Sequence, residues 1–257
     1  MKSKVLKSGI FFAVISFFSV ACNKDISVGS GDDTDNRNVF IAPYFTYNGN
    51  PFSSDSIYLD SFGNRFVIDN IQIIISNFFI AGQGDTVKDP NSFNVLNFRD
   101  QQFKVLKLPK GTYSGSYGFT IGMDSLTNSK LPGTFPSTSG LRDPALYRGR
   151  KPFYFGYKFL LIEGRVFNPL GIDTLGPKRF FTYELGDSLT LTRTRQKSFT
   201  ASNDKPIVFE VRFDIADMLE PFDLFVGDTI LTDRRYLDDF ADALLLRDYL
   251  DSAITPF

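Results

Sequence analysis

The clearest pattern in the chain is a period of two near its C-terminal end. Ile207, Phe209, Val211 and Phe213 alternate with Val208, Glu210, Arg212 and Asp214, as in a half-buried strand, where successive side chains point to opposite faces. Strand-like runs also cover residues 65–80, 103–108, 116–122, 153–163, 180–185 and 189–194, and a first run starts near Val39 with Phe40, Ala42, Tyr44 and Thr46 set against Ile41, Phe45 and Tyr47. Gly, Pro, Asn and Asp gather between these runs, as at 81–91 and 131–144, where turns need them. Many short strands separated by turn residues predict an all-β fold, an antiparallel β-sandwich. The one strong helical period is at the end, where Tyr236, Phe240, Leu244 and residues 245–249 recur at three or four positions with acids between them. It predicts a C-terminal amphipathic helix that covers one end or edge of the sandwich.

The first residues follow a different pattern. Lys2, Lys4 and Lys7 precede an apolar stretch from Ile10 to Val20, and Ala21 then stands before Cys22. The apolar stretch is too short for a mature bilayer span and reads as the core of an export signal. A small residue directly before a lone cysteine is what a lipoprotein signal peptidase requires. Residues 1–21 are therefore expected to be removed and Cys22 to carry lipid, several acyl chains giving stable anchoring without a transmembrane helix. Residues 22–37 are polar and lack apolar periodicity, so they read as a flexible tether leading into one domain over 38–257.

Composition narrows the chemistry. Cys22 is the only cysteine, and histidine and tryptophan are absent. No internal disulfide, thiolate metal site or cysteine nucleophile can be built once Cys22 is lipidated. Catalysis by a Ser-His-Asp triad is excluded, as is any zinc site that uses imidazole. The interior has to be filled by other large rings, and the chain carries 29 Phe and 11 Tyr. Its net charge is -1 and becomes more negative when the three signal lysines leave. Export and that charge balance argue against a nucleic-acid partner.

The remaining candidate chemistry is sparse. The loop carrying Tyr147, Arg148, Arg150, Lys151 and Tyr154 combines cations with flat rings, a pairing able to contact an anionic or sugar ligand through charged hydrogen bonds and stacking. Glu163 before Gly164 reads as a carboxylate paired with Lys158 or an arginine. Asp124 reads as an acceptor for loop amides, and Asp143 before Pro144 as a turn or helix start. Met123 and Met218 are the methionines left after signal removal and read as core filler.

Several phrases, in order along the chain, resemble one family. Asn64-Arg65-Phe66-Val67-Ile68 followed by Ile73-Ile74-Ile75-Ser76-Asn77-Phe78 resembles the opening strands of MbnP-like proteins. Leu108-Pro109-Lys110-Gly111-Thr112-Tyr113, Phe119-Thr120-Ile121-Gly122-Met123-Asp124, Leu141-Arg142-Asp143-Pro144, Gly156-Tyr157-Lys158-Phe159 with Ile162-Glu163-Gly164, and Phe181-Thr182-Tyr183-Glu184-Leu185-Gly186 resemble later segments of the same family. The resemblance covers roughly residues 38–250. It implies a secreted or lipid-anchored β-sandwich related to copper-binding proteins, some of which place histidines and an oxidised tryptophan on the metal. Here Glu184 stands where the family's histidine is expected, and residues 145–154 carry no tryptophan. Copper(I) prefers imidazole, thiolate or thioether donors, so copper is implied by the resemblance and disfavoured by the residues. The metal donors still conceivable are Glu184, Asp124 and Met123.

Together these features describe a non-enzymatic lipoprotein of the outer membrane, on the periplasmic face or the cell surface, that binds a small ligand or an envelope protein. The alternatives are a structural or protein-interaction lipoprotein and a carboxylate-based glycan hydrolase. The anchor has a direct check: metabolic labelling with a radioactive fatty acid should mark the full-length product and fail to mark Cys22→Ala, and equal labelling of both would refute lipidation at Cys22.

Overall fold

The computed structural model describes residues 36–82, 86–89, 92–99, 102–148, 156–167, 179–186, 192–193, 197–202, 205–226, 229–230 and 237–256. The expected signal, Cys22 and most of the expected tether lie outside the described residues. In chain order the strands are β1 (Asn36–Tyr47), β2 (Asn50–Pro51), β3 (Tyr58–Leu59), β4 (Arg65–Gly82), β5 (Thr86–Lys88), β6 (Phe93–Asn97), β7 (Phe103–Pro109) and β8 (Tyr113–Ile121). After a short helix α1 (Ser125–Asn128) come β9 (Leu160–Val166), β10 (Arg179–Leu185), β11 (Thr192–Arg193), β12 (Lys197–Ala201) and β13 (Ile207–Asp214). Helix α2 (Ile215–Leu219), β14 (Thr229–Ile230), helix α3 (Leu237–Ala253) and β15 (Ile254–Pro256) close the chain.

These strands form two sheets, and the fold is an all-β sandwich. One sheet has five strands in the order β15-β13-β1-β2, with β7 also on β1; the other has ten, running β11-β8-β4-β9-β10-β14 with β12 on β8 and β3, β5 and β6 along β4. Most pairs are antiparallel, but β13 lies parallel to β1, Val39 opposite Ile207 through Thr46 opposite Asp214. This pairing joins the two ends of the domain. β1 begins at Asn36, inside the stretch expected as tether, and Arg37 is buried with its guanidinium 4.8 Å from the centre of the Tyr113 ring. A cation over a ring face is drawn to the ring's negative quadrupole, which offsets part of the cost of leaving water.

Strand β4 explains why alternation is hard to read in 65–80. Its register with β9 shifts between Ile68 and Asn70, and its register with β8 shifts between Ser76 and Phe79, where Asn77 has φ 51°. Each extra residue moves the inward set by one position. Phe66 and Ile68 face the core, then Ile71, Ile73 and Ile75, then Phe78 and Ile80, and all seven are buried. Across the interior Phe209 of β13 stacks on Tyr117 of β8 at 3.9 Å and meets Phe78 at 5.8 Å and Phe199 at 5.0 Å, so one ring ties three strands of the large sheet to the small one. Burial pushes the Tyr117 hydroxyl up to about 12.

Helix α3 packs on α2 and buries Ala243, Leu246, Leu250 and Ala253. Leu246 falls in the expected 245–249 region, whereas Leu244 is half-buried and Leu245 is exposed. Among the described residues no helix is long and apolar enough to cross a membrane. Because Phe209 links the two sheets, Phe209→Ala should cost about 3–5 kcal/mol, the usual range for emptying a core ring site. Denaturant midpoints check this, and a loss of under about 1 kcal/mol would contradict the packing role.

Candidate functional site

Hydrogen bonds cross the large sheet in one line where the family-like phrases meet. The Gly122 N–H donates to the Ile74 carbonyl at 2.8 Å, the Ile74 N–H to the Phe159 carbonyl at 2.8 Å, and the Phe159 N–H to the Leu185 carbonyl. This line brings the ends of β8 and β10 and the start of β9 together around the middle of β4.

Glu184 lies at the end of β10, opposite Leu161 of β9. Tyr183 and Leu185, its neighbours, are buried in the core, so alternation sends Glu184 to the outer face of the sheet. It is nevertheless buried, because two segments fold over that face. Tyr147 and Tyr157 form an antiparallel bridge, the Arg148 N–H donates to the Gly156 carbonyl and the Lys158 N–H to the Leu146 carbonyl, both at 2.8 Å. The bridge places Tyr147 and Tyr157 on one side and Arg148 and Lys158 on the other. The Arg148 guanidinium meets Glu184 Oε2, and Lys158 Nζ stands 3.0 Å from Oε1. Each carboxylate oxygen thus has its own cation, and the Glu184 side chain is only 7% exposed against 16% for Arg148 and 17% for Lys158.

Glycine makes this approach possible. Gly156 has φ +79°, and a Cβ there would sit 2.2 Å from the Asn128 carbonyl oxygen. Asn128 Oδ1 in turn accepts from the Tyr157 N–H at 2.7 Å, so α1 and the 156–158 turn are locked together. The rings of Tyr147 and Tyr157 lie 5.0 Å apart, and Phe135 meets Tyr157 edge-on at 5.9 Å. Burial, with a smaller effect from Tyr147, pushes the Tyr157 hydroxyl up to about 12. Arg148, Gly156, Tyr157, Lys158, Glu184, Leu185 and Gly186 line a narrow crevice with no room for a water molecule.

The other candidates are spent elsewhere. Asp124 caps α1 by accepting from the Thr127 N–H at 2.9 Å, and these backbone and side-chain bonds from Thr127 outweigh burial and hold its carboxyl below the usual range. Met123 is fully buried in the core cluster. Asp143 caps the short helix after it through the Ala145 N–H, as its place before Pro144 predicts. Among the described residues Glu163 does not pair with Lys158 or an arginine: it accepts from Asn70 Nδ2 at 2.9 Å, while Lys158 turns to Glu184. The correction follows from geometry, since Asn70 is directly opposite Glu163 across the β4–β9 pair, whereas Lys158 precedes the strand. Arg150, Lys151 and Tyr154 of the candidate loop lie outside the described residues.

The sequence model of one family, MbnP, matches residues 38–232. The chain belongs to the MbnP family. A solved structure titled MbnP from Methylosinus trichosporium is similar at 13% sequence identity, covering 71% of this chain and 77% of that one with a TM-score of 0.47. No curated protein matches.

Set against the copper that the resemblance to this family implies, the donors do not fit. Glu184, at the expected histidine position, already faces two positive groups, and a metal ion there would have to displace them against their charge. Asp124 is engaged at a helix start and Met123 has no solvent face. Among the described residues no group of three or more His, Cys, Asp or Glu is placed to hold a metal ion.

Proposed function

We propose that this MbnP-family chain is a lipid-anchored, non-enzymatic binding or accessory protein of the outer membrane, held at the periplasmic face or cell surface through Cys22, in which a protein-borne charge cluster stands in place of a copper centre. The observation that carries the reading is the pairing of Glu184 with both Arg148 and Lys158. A buried carboxylate needs positive charge beside it. Two cations of the chain meet that need here, whereas a metal site needs the carboxylate for the metal. The absence of imidazole and the single cysteine work in the same direction, because copper(I) has no soft ligand set to select it.

The non-enzymatic part of the reading rests on how the carboxylates are used. Glycan hydrolysis by paired carboxylates needs one held as an acid and one ready as base or nucleophile. Glu163 is held by Asn70 and Glu184 by its cations, and neither arrangement readies a carboxylate for that work.

Competition against a copper(I) chelator, followed by metal analysis of the full chain, tests the proposal. Less than about 0.1 equivalent of copper should remain after exchange with a chelator of picomolar affinity, a strength equivalent to roughly 16 kcal/mol. One equivalent of tightly held copper would overturn it.

A further inference from the structure

The strand that opens the domain enters it between two lysine-bearing segments. Asn36, the first residue of β1, stands opposite Pro109 of β7, and Lys110 follows directly on that side. On the other side β13 runs parallel to β1 with Val39 opposite Ile207, which brings Lys205, two residues before Ile207, to the same end. Lys107 stands opposite Asn38. Lys110 and Lys205 are exposed and Lys107 is half-buried. None of the described residues 36–40, 105–115 and 205–209 is an acid. The residues that lead into this strand have the opposite character. Asp32, Asp33 and Asp35 all fall within the four positions before Asn36. With successive Cα atoms about 3.8 Å apart, the farthest of the three stays within about 15 Å of Asn36. Lys110 has no acid nearer in the chain than Asp100 and Asp124, whereas Asp204 adjoins Lys205 and lies outside the described residues.

We infer that the segment 32–35 docks on the end of the sandwich that carries Lys107, Lys110 and Lys205, as an electrostatic clasp at the root of the tether. Two facts select this occupant: it is the chain's own continuation from Asn36, and its charge is opposite to that of the lysines around the entry point. An exposed ion pair is weak by itself. Covalent attachment changes the balance, because it holds the acids at high effective concentration beside the lysines. The attraction reaches about 10 Å at 0.1 M salt and about 3 Å at 1 M, so the clasp closes at low ionic strength and opens at high. Its consequence for the whole molecule rests on the lipid anchor proposed above. Docking of 32–35 leaves residues 22–31 as the free linker, and ten flexible residues span about 17 Å, no more than the radius of gyration of a domain this size. The end where β1 enters is thereby held toward the membrane. The start of β4, whose far end at Gly82 lies opposite Gly115 near the start of β8, faces away from it.

The experiment places a nitroxide spin label at Thr34→Cys in the full chain in detergent and records its spectrum at low salt and at about 1 M sodium chloride. The expected result is a fraction of freely tumbling label that rises about twofold or more with salt. Lys110→Gln combined with Lys205→Gln should give the high-salt spectrum already at low salt. Circular dichroism checks folding, and Asp32→Asn, Asp33→Asn and Asp35→Asn together, which leave the sandwich unaltered, give the same reading should the lysine variant fail to fold. A spectrum indifferent to salt, or one that salt changes equally in the parent chain and in both variants, overturns the inference. Labelling of the chain that lacks Thr34→Cys reports on the anchor instead: a lipidated Cys22 takes no label, and a labelled one refutes the anchor while the clasp is still read in Cys22→Ala.

Discussion

A carboxylate that leaves water must be given something in return, and Glu184 is the place where this chain meets that constraint with charge. The idealised cost of moving such an ion into a low-dielectric interior is on the order of 20 kcal/mol before relaxation, so a carboxylate buried there needs positive charge or donors beside it. Arg148 and Lys158 supply the charge. Their positions depend on the Tyr147–Tyr157 bridge, on the left-handed conformation at Gly156 and on the grip of Asn128 on the Tyr157 amide. The end of the large sheet is therefore organised around one ionised side chain.

The other buried acids show that this solution is a particular one. Asp214, at the end of β13, accepts from Thr46 Oγ1 at 2.8 Å, from the Asn48 and Gly49 amides at 3.1 and 2.7 Å, and from the Ala216 amide at 3.1 Å. Asp60 accepts from the Phe62, Asn64 and Leu224 amides and from Asn64 Nδ2. Neutral donors of this kind suit a structural clamp, and these two acids do fasten turns to distant segments: Asp214 ties the turn after β1 to β13 and α2, and Asp60 ties the turn before β4 to residue 224. At Glu184 the partners are cations, each somewhat more exposed than the acid they pair with. The same physical requirement is met by neutral donors at two acids and by cations at the third.

Much of the scaffold was legible in the sequence because one face of a strand is apolar and the other is not. β13 alternates cleanly since its outer residues, Val208 and Glu210, stay exposed. β4 did not alternate because its two register shifts reverse which positions face inward, and nothing in the local sequence marks a bulge as plainly as Gly marks a turn. The parallel pairing of β1 with β13 was not legible either: no local signal records a partner more than 150 residues away in the chain, as Val39 and Ile207 are. Of the site, Arg148 and Glu184 were each singled out, one as a loop cation and one as a missing histidine, yet their meeting depends on a bridge between segments that periodicity does not reveal. Glu163 was expected to pair with Lys158 or an arginine, and the strand register gave it to Asn70 instead.

The most direct measurement is a double-mutant cycle on Arg148 and Glu184, with Arg148→Met, Glu184→Gln and the pair compared by denaturant unfolding. A buried, mutually dependent pair should give a coupling energy of about 2 kcal/mol or more, within the range seen for residues that share a network. A coupling below about 0.5 kcal/mol, the level of an exposed surface pair, would contradict the claim that these two side chains satisfy each other.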